Sequence, residues 1–411
     1  MNDGMKNLKV YDVLINNKNP NKLMVSMPGN IAKSNNGGDS WTTKDCRINI
    51  MEMSFHDTNM IYGGHGSWFS YMGGASYFYY YRSEDGGNSW NSHLLFRVSG
   101  LYEYYYKLWI CDIQFFPDDP ERILIAVDGG GNCGEGLYRS NDRGATWKRV
   151  FSTGVSCIAI DPTNNDIVYV GTTGYGYVSK STDRGENWTS ISPEGLDAFV
   201  NNVYDLAIDF NKEVFAATSS GLFKWEGGID WVLISGLPSK STKAIVIDNK
   251  DDSPDYYLAT EDCGVICSEN DYSSWELYNT GINNVYITTL KINNNGNRRL
   301  YSGTLKEGLW VTSLKDGINR IFNNEFLDIS LSIFPNPNDG HFFIKIDNDL
   351  RLIGNVKIIN TLGQVVFNLN DIDLWPGRNL ELTADGISPG NYIISFITTK
   401  TVINEKLMIY K

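Results

Sequence analysis

One eight-residue pattern recurs between residues 34 and 275 and constrains the fold more than any other feature. It reads Ser, any residue, Asp or Asn, any, Gly, any, any, Trp. The clear copies run Ser34–Trp41, Ser83–Trp90, Ser140–Trp147 and Ser181–Trp188, and degenerate copies end at Trp231 and Trp275. The tryptophans return every forty to sixty residues or so, the spacing of four-stranded blades arranged around an axis.

The chemistry of the pattern fits a tight hairpin. The short acid or amide (Asn36, Asp85, Asp142, Asp183) can hold backbone N–H groups a few residues on. The glycine suits a left-handed backbone, and the tryptophan (Trp41, Trp90, Trp147, Trp188) opens the next strand with a large flat surface to bury. A second unit, strand then Asp/Asn-rich turn then strand, precedes each copy, as in Val155–Asp161 with Ile167–Thr172, and occurs once more after the last copy, from Ile287. Seven such units lie between Val10 and about Lys315. The expectation is an all-β, seven-bladed β-propeller over residues 1–320, with Met1–Leu8 supplying the missing outer strand of the last blade. Four good copies resemble the Asp-box, or BNR, repeat of sialidases, xyloglucanases, sortilin-type receptors and photosystem-assembly propellers. In those families the box is structural.

The pattern changes after a linker at 321–330. Residues 331–411 hold short alternating strands separated by Pro335-Asn-Pro337-Asn-Asp-Gly340, Asn360-Thr-Leu-Gly363-Gln364 and Pro389-Gly390-Asn-Tyr392, which predict a small Ig-like β-sandwich. These motifs, in this order, resemble the C-terminal sorting domain of the type IX secretion system of Bacteroidetes. The resemblance implies a secreted or cell-surface protein, with the type IX secretion machinery as the partner of residues 331–411. It also implies a signal peptide, which Met1–Lys6 does not provide, so the expectation is a fragment or a start that lies upstream. An oxidising exterior leaves a Cys263–Cys267 disulfide open.

Composition narrows the function. A net charge of −13 disfavours a phosphate-backbone partner, so no nucleic acid is expected. No apolar run is long enough to span a bilayer, so no transmembrane segment is expected. Four His and no CxxC pair predict no metal centre. No early Arg-Ile-Pro occurs and Arg47 and Arg82 are the early arginines, which disfavours a sialidase.

Three places could carry chemistry. Aligning the innermost strands on their closing Asp or Asn puts Asp12, Glu52, Asp112, Cys157, Asp205, Ala244 and Thr289 at one position near the axis. That ring of acids would hold neighbouring backbone, recruit a cation such as Ca2+, or act in catalysis. Asp128, in Val127-Asp128-Gly-Gly-Gly131, resembles the catalytic-Asp strand of xyloglucan-degrading propellers, and Asp112 is its nearest proposed partner. An aromatic insert bears His65, Trp68, Phe69 and Tyr71, with Tyr104 and Trp109 on the next blade, as a platform for a sugar or a protein. Two functions follow: a propeller binding an extracellular glycan or protein, placed first, and a glycoside hydrolase of xyloglucanase-like type.

Overall fold

The structure, a computed structural model, describes residues 9–69, 76–98, 106–129, 134–174, 176–192, 196, 200–249, 254–269, 272–279, 286–293, 298–314, 331–346, 352–360, 364–374, 379–384, 386–398 and 402–410. The chain divides into two units, Met1–Asn323 and Asn324–Lys411.

The first unit is a seven-bladed propeller. Its innermost strands are Asp12–Ile15, Ile50–Met53, Tyr106–Phe116, Val155–Ile160, Val203–Ile208, Thr242–Asp248 and Ile287–Asn293. Blades 1, 2, 4, 5 and 6 are four-stranded antiparallel sheets, and blade 7 shows three strands among the described residues. Blade 3 has five, because Gly66–Phe69, from the loop of blade 2, pairs with its innermost strand.

Seven apolar clusters fill the seven seams between blades. Val10, Val13 and Leu23 of blade 1 pack with Tyr301, Leu309 and Val311 of blade 7. The Val10 N–H also donates to Thr304 O at 3.0 Å, and Thr288 Oγ1 donates to Val10 O at 2.6 Å. The ring is therefore closed, which removes the open edges a curled sheet would leave. Met1–Leu8, the expected closing strand, lie outside the described residues, as does the 321–330 linker.

Each of the four clear copies forms the hairpin its chemistry predicts. In the third copy, Ser140 Oγ accepts from Gly144 N at 2.7 Å, and Asp142 Oδ1 accepts from Thr146 N at 2.8 Å. The fourth copy repeats this with Gly185 N on Ser181 Oγ and Asn187 N on Asp183 Oδ1. Arg143 and Arg184, just before the glycines, also take left-handed backbone at φ 55 and 62. Gly144 needs its small size as well, because a Cβ there would lie 2.6 Å from the Tyr80 hydroxyl. Hydrogen bonds led by those from Ser89 hold Asp85 down to about 2. The tryptophans face backward: Trp90, Trp147 and Trp188 each pack into the seam with the preceding blade.

The second unit is a β-sandwich. Leu331–Phe334, His341–Ile346 and Leu380–Thr383 form one sheet. Val365–Leu374, Leu352–Ile359, Gly390–Thr398 and Val402–Ile409 form the other, in that order. Phe342, Ile344, Val356, Ile358, Ile394 and Phe396 fill the space between them.

Candidate functional site

The axial ring is real but differs by one member from its sequence alignment. In blades 3 to 7 a register shift bulges the innermost strand at Cys111, Ser156, Tyr204, Lys243 and Thr288. The residue after each bulge then meets the channel: Asp112, Cys157, Asp205, Ala244 and Thr289. In blade 2 the turn is closed by Ser54, whose N–H donates to Met60 O as that of Asp161 does to Ile167 O. Counting back from Ser54 makes Ile50 the equivalent residue. Glu52 stands two residues further along, level with Lys291 and Gln114. The slip arose because Ser54 closes the blade 2 turn where blades 1, 4, 5, 6 and 7 carry Asn16, Asp161, Asp209, Asp248 and Asn293.

Three aspartates remain, on blades 1, 3 and 5, and each is bonded to the next blade. Asp12 Oδ2 accepts from Met51 N at 2.8 Å, Asp112 Oδ2 from Ile158 N at 2.8 Å, and Asp205 Oδ2 from Ile245 N at 2.9 Å. Their second oxygens turn to their own strands, as Asp112 Oδ1 does to Ile113 N at 2.7 Å. Thr289 Oγ1 reaches back to Asp12 Oδ1 at 3.5 Å.

Lys291 is the member that the sequence reading missed. It lies two residues beyond Thr289, so strand alternation turns it to the same channel. Burial pushes Asp112 and Glu52 up to about 7 and Asp205 to about 6, against the pull of Lys291. Burial works to lower Lys291, but Asp12, Glu52, Asp112 and Asp205 outweigh it and hold its ammonium above the usual lysine range. The channel encloses about 710 Å³. Among the described residues, no three His, Cys, Asp or Glu side chains are grouped to hold a metal ion. The three aspartates, each bonded to a backbone N–H, do not fit a Ca2+ site.

At the rim facing the strand starts, blades 4 to 7 are cut short. Thr172, Thr218, Thr260 and Thr304 end their second strands, and each hydroxyl donates to a carbonyl of the turn that follows: Tyr177, Gly221, Gly264 and Gly308. The recurring threonine was a legible signal that the sequence reading did not use. The longer connections fall on blades 2 and 3.

The described strands that flank those connections place three residues in one row. Trp109 is the cross-strand partner of Asp128 on one side and of Gly66 on the other, so the three share one face of three adjacent strands. Gly66 leaves room for the indole, since a Cβ there would lie 2.4 Å from Trp109 Cδ1. Lys107 Nζ lies 4.6 Å from the Trp109 ring centre. Asp128 Oδ2 accepts from Thr173 Oγ1 of blade 4 at 2.6 Å, and Oδ1 lies against Gly154. Burial, then the charge of Asp128, pushes the neighbouring Cys111 thiol up.

Asp112 and Asp128 have separate surroundings. The first touches Ile158, Gln114 and the charge of Lys291, and the second touches Thr173 and Gly154. Of the expected platform, Trp68 and Phe69 pair with Lys107 and Tyr106 through their backbones, and their side chains lie outside the described residues, as do Tyr71 and Tyr104. His65 is tied to Gly66 O at 2.6 Å and Tyr81 Oη at 3.3 Å. Phe78 and Tyr80 are blade core, whereas Tyr77 and Tyr79 are exposed. Cys263 and Cys267 form no disulfide and pack on different clusters, on opposite sides of blade 6, so the disulfide expectation is corrected.

Comparison with known proteins agrees with both units. Residues 332–410 match the family described as the secretion system C-terminal sorting domain. Xyloglucanase Xgh74A of Acetivibrio thermocellus is 28% identical over 212 residues, covering 46% of this chain and 22% of that one. A xyloglucanase of Paenibacillus sp is 24% identical over 166 residues, covering 35% and 14%. The chain thus spans about a fifth or less of the length of these relatives. Among solved structures, the GH74 xyloglucanase from Xanthomonas campestris matches with a TM-score of 0.61 at 12% identity, over 97% of this chain and 73% of that one. An ancestral GH74 enzyme matches with a TM-score of 0.59 at 16% identity, over 98% and 62%. No described helix is long and apolar enough to cross a membrane. The chain is a secreted or cell-surface protein in which a secretion system C-terminal sorting domain follows a β-propeller similar in sequence and fold to those of xyloglucanases.

Proposed function

We propose that the propeller acts on a xyloglucan-type polysaccharide as an exported glycoside hydrolase, with Asp128 as a carboxyl at the scissile bond and Trp109 as the surface on which a sugar ring stacks. The observation that carries this reading is the Asp128–Trp109–Gly66 row beside the longer connections of blades 2 and 3, in a chain 28% identical to a xyloglucanase over 212 residues. A carboxylate beside a half-buried ring is how a β-linked chain is held and protonated at once. This reverses the order in which the sequence alone placed binding and hydrolysis.

A second reading, a propeller that binds an extracellular glycan without cutting it, is favoured by Asp112. Hydrolysis needs two carboxyls flanking the bond, and Asp112 is bonded to Ile158 N, Ile113 N and Gln114 Nε2. Incubation of the full chain with xyloglucan and with unbranched β-glucan separates the two. Released reducing ends that vanish in Asp128→Asn support the hydrolase. Retention of the chain on xyloglucan without release supports the binder.

A further inference from the structure

The larger sheet of the sorting unit leaves an apolar corner uncovered. Its strands align Val365, Ile359, Ile393 and Lys406 in one row, and the next row pairs Asn391 with Met408. Val365 is 51% exposed, Val366 41%, Ile393 47%, Met408 46% and Tyr410 59%. The residues of opposite alternation, Ile358, Ile394, Leu407 and Ile409, are in the core. So the sandwich is already filled, and this second apolar surface serves something outside it.

We infer that this corner is the face by which the export machinery grips the sorting domain, through a protein surface that is apolar at its centre and acidic at its rim. Three observations carry the inference. Residues 332–410 match a domain that a secretion system reads, so a protein partner exists for this unit. In a chain of net charge −13, the charges on the outward rows around the corner are Lys357 and Lys406, among the described side chains. That is the opposite sign to the rest of the molecule, so it selects an acidic rim, and two copies meeting corner to corner would set these lysines against each other.

The third observation is that both edges of the sheet are blunted at this corner, which excludes recognition by strand addition there. On the last strand, Asn336 Nδ2 donates to Lys406 O at 2.6 Å and Asn336 Oδ1 accepts from Met408 N at 2.8 Å. Asn338 N then donates to Met408 O at 3.0 Å, and Tyr410 N donates to Asn338 O at 2.8 Å. The Pro-Asn-Pro-Asn loop thus occupies the ladder positions of a further strand, and Pro335 and Pro337 have no N–H to offer another. On the opposite edge, Val366 is bulged out where Ile358 and Ile359 pair with Phe367 and Val365. The flat face is what remains.

The test is export of the full chain from a host that carries the type IX machinery. Ile393→Asp and Val365→Asp should each lower the extracellular fraction by roughly tenfold, as loss of a central apolar anchor does, and Lys406→Glu should lower it less. The thermal unfolding midpoints of the purified variants should stay at the parent value. Thr383→Asp, which adds the same charge at an exposed position of the smaller sheet, should be exported normally. Lys406→Glu disturbs no core residue, so it keeps the test valid if an apolar-to-Asp variant misfolds. Undiminished export of all three variants overturns the proposal. So does a parent chain that is dimeric in solution and becomes monomeric on Ile393→Asp, because the corner would then belong to a second copy.

Discussion

Thr173 donates its hydroxyl to Asp128 across the seam between blades 3 and 4, at 2.6 Å. That bond fixes one carboxylate oxygen and leaves the other against Gly154, where no side chain can stand. A Cβ on Gly154 would come within 2.3 Å of Oδ1. Thr173 is therefore a positioning residue for Asp128. Thr173→Val should lower kcat/KM on xyloglucan roughly tenfold, the worth of one hydrogen bond to a charged group, and Thr173→Ser should restore it. A Thr173→Val variant with parental turnover would show that Asp128 needs no such support.

Asp112 and Asp205 predict an unusual pH dependence. Their folded pKa values, about 7 and about 6, lie above the ordinary carboxylate value, as does that of Glu52 at about 7. Between roughly pH 4 and 7 the folded chain binds more protons than the unfolded one, so stability falls as pH rises through that window. Denaturant midpoints at pH 5 and 7.5 should differ in that sense, and the difference should shrink in Asp112→Asn. A midpoint that rises from pH 5 to 7.5 would contradict the channel electrostatics.

Lys291 offsets the four carboxylates around it. Lys291→Met leaves them uncompensated, so it should steepen the loss of stability between pH 5 and 7.5 and have less effect at pH 5, where the acids are more protonated. Chemical denaturation of the variant at both pH values reads this directly.

The hairpins should behave as units. Ser140→Ala and Asp142→Ala each remove bonds to turn N–H groups and should cost about 1–2 kcal/mol. The double variant should cost less than their sum, because the two side chains also bond each other at 2.8 Å. Trp147→Ala opens the seam with blade 2 and should cost about 3–5 kcal/mol. Urea unfolding of all four variants checks these values, with Ser140 and Asp142 read as a double-mutant cycle.

The propeller was legible because its signal is local: a Ser, an acid and a Gly make one turn, and a Trp buried behind it repeats with the blade. The axial position, an aspartate in three blades, was placed correctly in six of the seven blades. Glu52 was misassigned because Ser54 closes the blade 2 turn without an Asp or Asn. Lys291 was missed because its partners come from blades 1, 2, 3 and 5, and no short window of sequence holds them. The Asp128–Trp109–Gly66 row was half legible. Asp128 stood out by its glycines, while its neighbour was set by strand register, which the bulge at Cys111 shifts by one.

The most direct measurement is calorimetric titration of a xyloglucan oligosaccharide into Asp128→Asn, which should bind without cutting. The account predicts saturable binding, weakened by up to about tenfold when Trp109→Ala is added, since a stacked ring is worth roughly 0.5–1.5 kcal/mol. Equal affinity with and without Trp109, or no binding by either variant while both stay folded, would contradict it.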